Sequence, residues 1–175
     1  MNMNTESTAN EIEIVWLRRI SQSQPTAWEG RTRNQETVHV FYKFGQLEVW
    51  MRQDLKGTPG THKWVTILNF HPEWLETELE IERNWAETRR IRGGSLANAK
   101  REARMLFERK MAGEMRAAND GRSDEFGRTH SRVITVGQLT QWLSMRNKEL
   151  VRRNGAANGA VLVEVLAWSD QPEKS

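Results

Sequence analysis

Hydrophobic and polar positions alternate in short runs through the first seventy residues, and then the period lengthens. Between Glu11 and Ile20, Ile12, Ile14 and Trp16 fall on one face and Glu11 and Glu13 on the other, the two-residue repeat of a half-buried strand. Ser21 to Glu36 breaks this pattern with Pro25, Gly30 and many Gln, Thr and Arg, and predicts a long loop pinned by Trp28. Thr37 to Phe44 alternates again, with Val38, Val40, Tyr42 and Phe44 sharing a face. Gly45-Gln46 predicts a tight turn, because glycine accepts positive φ. Leu47 to Arg52 is the return strand, followed by a turn cluster at Gly57 to Gly60. His62 to Phe70 sets Trp64, Thr66, Leu68 and Phe70 against Val65 and Ile67. The whole stretch reads as an antiparallel meander of about four strands.

The helical period begins at Pro72, a residue suited to a first turn where a backbone N–H is dispensable. Five glutamates, Glu73, Glu76, Glu78, Glu80 and Glu82, favour its positive end, and Arg83, Arg89, Arg90 and Arg92 its negative end. Trp74, Leu75, Leu79, Ile81 and Trp85 form the apolar side, and Gly93-Gly94 stops the helix. Ser95 predicts an N-cap for a second helix. In that helix Leu96, Ala99, Ala103, Leu106, Phe107, Met111, Met115 and Ala118 recur at helical spacing and are expected in the core. A third helix starts at a capping box, Thr135 with Gln138, and buries Leu139, Trp142, Leu143 and Leu150. Ala160 to Trp168 is apolar except at Glu164, which predicts a strand buried on both faces, inside the sheet.

The fold class that follows is α+β: an antiparallel N-terminal meander of about four strands, three helices packed on it, and a C-terminal strand returning to the sheet. One domain is expected over residues 11–168, between disordered tails at 1–10 and 169–175.

Composition narrows the possibilities. With 37% hydrophobic residues and 28% charged, a chain of 175 residues holds enough apolar material for one ordinary core. No apolar run approaches the ~18 residues of a membrane span, and Met1 to Asn10 lacks the basic and apolar regions of a signal peptide. The expected setting is therefore cytoplasmic, without membrane contact. The absence of cysteine excludes disulfides, thiolate metal sites and a cysteine nucleophile. His39, His62, His71 and His130 include no pair at helical ligand spacing, so neither a metal nor a cofactor is expected.

Charge is distributed unevenly. His71 to Glu82 carries five acids and no Lys or Arg, whereas Arg83 to Arg116 carries ten bases against four acids. Arg146 to Arg153 carries four bases and one acid. Nineteen of the 26 basic residues are arginine, whose planar fork suits phosphate. Basic clusters on helices are the footprint of polyanion binding. Arg89, Arg90, Arg92, Ser95, Lys100, Arg101, Arg104, Arg146, Arg152 and Arg153 are accordingly the candidate anion-binding residues. Gly93-Gly94-Ser95 would add a helix N-terminus that can meet a phosphate. Among eight tryptophans, Trp28, Trp74 and Trp85 are the candidates for base stacking or for an interface.

Other chemistry has weaker support in the residues. Glu73, Glu76 and Glu80 share a helical face, but helix-dipole preference explains them without a metal. His71 precedes Pro72, and His130 lies beside Ser131 near Asp124 and Glu125, with no strand-to-helix nucleophile elbow. The segment from Ile134 to Arg153 resembles a helix-turn-helix motif, with Asn147 to Arg153 as the reading helix. It departs from that pattern in having Ser144 at the usual glycine and Arg153 at an apolar position, and one continuous amphipathic helix fits the same residues.

The favoured reading is a non-catalytic binding or regulatory protein that holds an anionic partner, nucleic acid or a phosphorylated nucleotide, with arginine-rich helices. One alternative is a protein-interaction module, such as an inhibitor or assembly factor from a phage or other mobile element. Another is a hydrolase or nuclease with a non-local His/Glu site.

Overall fold

A computed structural model describes residues 10–21, 26–57, 59–88, 95–119, 134–154 and 161–169. The elements are β1 (Asn10–Ser21), β2 (Thr26–Thr32), β3 (Thr37–Lys43), β4 (Gln46–Asp54), β5 (His62–Phe70), α1 (Pro72–Thr88), α2 (Leu96–Asn119), α3 (Val136–Asn154), β6 (Val161–Val165) and β7 (Trp168–Ser169). The strands form one mixed sheet in the order β5-β4-β3-β2-β1-β6, with β7 also pairing with β1. β1 to β5 are an antiparallel meander, and the C-terminal strands join it parallel to β1. The α+β architecture is therefore as the residue pattern predicts.

The meander has five strands because the expected loop at Ser21 to Glu36 contains β2. Its inward residues Thr26, Trp28, Gly30 and Thr32 are all buried. Gly30 is required there: a Cβ would lie 2.2 Å from the Trp16 carbonyl oxygen. Register shifts change two faces. Between Ile14 and Trp16 the β1–β2 ladder slips, so Leu17 takes the inward position and Trp16 turns outward. A second slip between Val49 and Trp50 lets Ile67 and Leu68 both meet the core, with Trp64 and Thr66 outward on β5.

The core combines Ile14, Leu17, Trp28, Val38, Val40, Tyr42, Leu47, Val49 and Leu68 of the sheet with Leu139, Trp142 and Leu143 of α3. The Trp142 indole donates to Glu76 of α1 at 2.6 Å, and the Tyr42 hydroxyl donates to Glu73 at 2.8 Å, so α1 is tied to both layers. Buried Arg19 donates to the Ile134 carbonyl at 2.7 Å and lies 5.5 Å from the Trp28 ring centroid.

α3 is one uninterrupted helix through Ser144 and Met145, so the turn of a helix-turn-helix is absent. Its N-cap is as expected, with the Gln138 N–H donating to Thr135 Oγ1 at 3.1 Å. The apolar C-terminal run is not inside the sheet. β6 occupies an end position beside β1, and α3 covers its outer side. The Asn147 amide donates to the Val163 carbonyl at 2.9 Å and accepts from its N–H at 3.3 Å, in the manner of a short neighbouring strand. Arg146 donates to the Val161 carbonyl at 2.8 Å, and its guanidinium lies 5.8 Å from the ring centroid of Phe70 on β5. One side chain thus reaches both outermost strands, which requires a strongly curled sheet. Burial pushes the Arg146 pKa down from its ordinary value.

Two of the residues expected in the α2 core, Leu106 and Met115, turn outward. Met111 is buried and Leu96, Ala99, Ala103 and Phe107 are half-buried, but Leu106 is 66% exposed and Met115 is also exposed. Leu106 and Phe107 are about 100° apart around the helix. Phe107 faces His71 and Trp74, at ring distances of 5.5 and 5.9 Å. Leu106 consequently faces solvent.

Candidate functional site

The helical basic residues divide into two groups. In the first, charge is matched inside the protein. Lys100 pairs with Glu82 at 2.5 Å and with Glu78 at 3.5 Å. Arg153 pairs with Glu78 at 2.6 Å and Glu149 at 2.9 Å, and Arg152 pairs with Glu149 and, at 3.4 Å, Glu82. Three carboxylates and three cations thus clasp α1, α2 and α3 together. Arg104 pairs with Glu108 at 3.0 Å and lies over the rings of Trp74 and Phe107. Arg146 belongs to the β6 edge described above. Ser95 is exposed and accepts from the Asn98 N–H at 3.4 Å.

The second group is available to a partner. Arg101, Arg109 and Arg116 follow one another at intervals of close to two turns on the solvent side of α2. Arg101 bonds to Asn98 at 3.2 Å. Arg109 and Arg116 have no carboxylate partner among the described residues. Arg89, Arg90 and Arg92 lie outside the described residues, as does His130.

Glu149 is the hub of the clasp. Hydrogen bonding from Arg152, aided by Arg153, holds its carboxyl below the usual glutamate value, against the opposing effect of burial. A lowered folded pKa gives stability that is full above the unfolded value of about 4.3 and is lost as pH falls through the folded one. Melting temperature is therefore expected to fall with acidification below about pH 4.3. Glu149→Gln should remove part of that fall, and an unchanged acid profile in that variant would show the clasp to be energetically silent.

The outward face of the sheet is of different character. Cross-strand pairing lines up Arg18, Glu29, His39, Trp50 and Thr66 in one row across five strands. Trp16 and Arg31 are paired in a second row, and Phe41 and Glu48 in a third. Trp64 lies opposite Arg52 and stacks on the His39 ring, with centroids 4.3 Å apart and planes at 25°. Phe41 meets His39 edge-on at 5.8 Å. Trp16 is 41% exposed with the Arg18 guanidinium 5.5 Å from its ring centroid, and His39, Phe41, Trp50 and Trp64 are half-buried. Glu29 pairs with Arg18 at 3.6 Å and lies 3.5 Å from His39 Nε2. Arg31 and Lys43 have no carboxylate partner among the described residues.

This face joins α2 at the β3–β4 turn. The turn residues are Phe44 and Gly45, not Gly45 and Gln46, and both have positive φ (50° and 75°). An aromatic residue held in the left-handed region costs on the order of 1 kcal/mol. A Cβ on Gly45 would lie 2.6 Å from Met111 Sδ, so glycine permits the close approach of α2. A pocket of about 480 Å³ opens there between the turn and the end of α2.

The predicted tryptophans fare differently. Trp28 is fully buried in the core, so it cannot stack on a base or form an interface. Trp74 is half-buried under Arg104, and Trp85 is half-buried on α1. Sequence reasoning missed Trp16, Trp50 and Trp64, although Trp50, His39 and Phe41 alternate out of phase with the core stripes Leu47-Val49 and Val38-Val40-Tyr42. Among the described residues no group of three or more His, Asp and Glu side chains is arranged to hold a metal ion. No helix among them is long and apolar enough to cross a membrane.

The fold and surface define a class: an α+β protein with α3 packed on the inward face of its sheet and an aromatic, partly cationic outward face that meets α2 at the β3–β4 turn. No family model matches the chain, and no curated protein or solved structure matches it either.

Proposed function

We propose that this protein is a non-catalytic binder of single-stranded nucleic acid, with the strand carried on the outward face of the sheet. The observation that carries the reading is the arrangement of Trp16, His39, Phe41, Trp50 and Trp64 on the outward face of the sheet, flanked by Arg18, Arg31, Lys43 and Arg52. Bases have π-faces that stack on such rings in any sequence, and neighbouring cations follow the backbone. Arg101, Arg109 and Arg116 extend the cationic surface along α2. This keeps the polyanion expected from the charge pattern and moves its principal seat from the helices to the sheet, because Lys100, Arg152 and Arg153 already have glutamate partners.

A labelled oligonucleotide of about twelve nucleotides, within the range of single-strand sites, should bind with an affinity that falls linearly on a log–log plot against salt. The slope should be roughly −0.7 per phosphate neutralised. Arg31→Glu with Lys43→Glu should weaken binding and flatten the slope by roughly 1.4. A slope equal to that of the unaltered protein would dissociate these residues from the strand.

A second reading, a protein-interaction module, has its own support. Trp16, Ile20, Leu166 and Trp168 are all more than 40% exposed along β1 and the C-terminal segment, a concentration of apolar surface typical of interfaces. Failure of any oligonucleotide to bind at ~50 mM salt would make this reading the leading one.

A further inference from the structure

We propose that the pocket at the β3–β4 turn receives one unstacked nucleobase, of the kind bearing an exocyclic amine, from the strand on the outward face. The inference rests on the single-strand reading above and adds a defined subsite to it.

Three observations converge on the pocket. First, its walls suit a flat aromatic ring: Phe41, Phe44, Trp50, Met111 and Met115 all line it. Second, it is continuous with the proposed strand path, since Phe41 and Trp50 belong both to the outward face and to the pocket lining. Third, the backbone carries strain at its lip. A two-residue turn with positive φ at both positions favours Asn-Gly, yet Phe44 occupies the first position at φ 50°. That choice sets an aromatic ring where a turn would otherwise have a small polar group, and strained positions concentrate at binding sites.

The polar groups select the occupant. Lys43 is exposed, packs its ammonium 5.2 Å from the Phe44 ring centroid and has no carboxylate partner among the described residues, so it can take the phosphate next to the inserted base. Glu48 also lines the pocket. Its carboxylate accepts from the Trp50 indole at 3.0 Å and is an acceptor for an amine on the base edge. Adenine, cytosine and guanine carry such an amine, and thymine and uracil do not. An aliphatic peptide side chain would use the apolar walls but neither Lys43 nor Glu48.

The test walks a single abasic nucleotide along a short mixed-sequence DNA strand and measures affinity for the full chain and for Phe44→Gly. Glycine adopts positive φ without strain, so this variant keeps the turn while removing one wall. Met115→Ser, at an exposed position, is the second variant. In the unaltered protein one position of the lesion should lower affinity by about tenfold, the scale of one base–aromatic contact. In Phe44→Gly and in Met115→Ser the intact strand should bind more weakly, and the lesion should cost little more. A lesion cost that persists in both variants, or none at any position, would overturn the subsite and leave the single-strand reading standing. No binding of the intact strand to the unaltered protein would overturn both.

Discussion

Trp142→Ala is expected to lower stability by about 3–5 kcal/mol, the range for removing a large buried aromatic side chain. For a chain of this length that corresponds to a fall in melting temperature of roughly 10 °C. Trp142 is 1% exposed, packs its ring 5.4 Å from that of Tyr42 and donates to Glu76. Its loss opens a cavity between sheet and helix and deprives the α1 carboxylate of a donor. Leu106→Ala is the matched control on α2. With Leu106 exposed, its stability should change by less than about 0.5 kcal/mol. Thermal and denaturant unfolding of both variants check the assignment. A larger loss for Leu106→Ala than for Trp142→Ala would reverse the placement of the core.

The contrast between these two residues shows what the sequence pattern can and cannot resolve. Helical spacing identified Leu139, Trp142 and Leu143 in the α3 core, whereas the fourth expected residue, Leu150, is only half-buried. In α2 the adjacent pair Leu106-Phe107 offered two candidates for one inward direction, and spacing alone does not choose between them. In the sheet, alternation located β1, β3, β4 and β5 but not the slips at Ile14/Trp16 and Val49/Trp50. A bulge moves every later side chain to the opposite face, which is how Trp16 came to be grouped with Ile12 and Ile14. β2 was hidden because Thr26 and Thr32 are polar and Gly30 is a strand breaker by propensity. Its place between β1 and β3 buries them nonetheless. The C-terminal run reads as interior because it is apolar except at Glu164. The cover over its edge comes from Arg146 and Asn147, polar residues on a helix elsewhere in the chain.

The candidate site was legible only in part. Charge segregation pointed to a polyanion, but it could not show that glutamates of α1 and α3 would engage Lys100, Arg152 and Arg153. Apart from the pairs within α3, these are contacts between separate helices, eighteen or more positions apart in the chain. The outward aromatic face depends on which strands neighbour one another, information that periodicity does not contain.

Trp64→Ala is expected to weaken single-strand binding by roughly tenfold, and Trp16→Ala with Trp64→Ala by roughly a hundredfold if the two contacts are independent. Trp64 stacks on His39 and Trp16 lies beside Arg18, both on the outward face, so neither supports the core. Both variants should therefore fold with nearly unchanged melting temperature. The salt slope should also be nearly unaltered, because stacking rather than charge is removed. Titration by fluorescence anisotropy measures both quantities. Affinity equal to that of the unaltered protein would exclude the two rings from the binding surface.

The eight tryptophans allow the central claim to be tested in one experiment. Indole N–H resonances of the labelled protein, assigned through single substitutions, are followed by NMR while a short single-stranded oligonucleotide is added. The predicted result is that Trp16, Trp50 and Trp64 shift together and saturably, while Trp28 and Trp142, enclosed in the core, stay in place. Shifts centred on Trp74 and Trp85 with an unmoved outward set would return the binding surface to the helices. A spectrum in which no indole moves would contradict nucleic-acid stacking on this protein altogether.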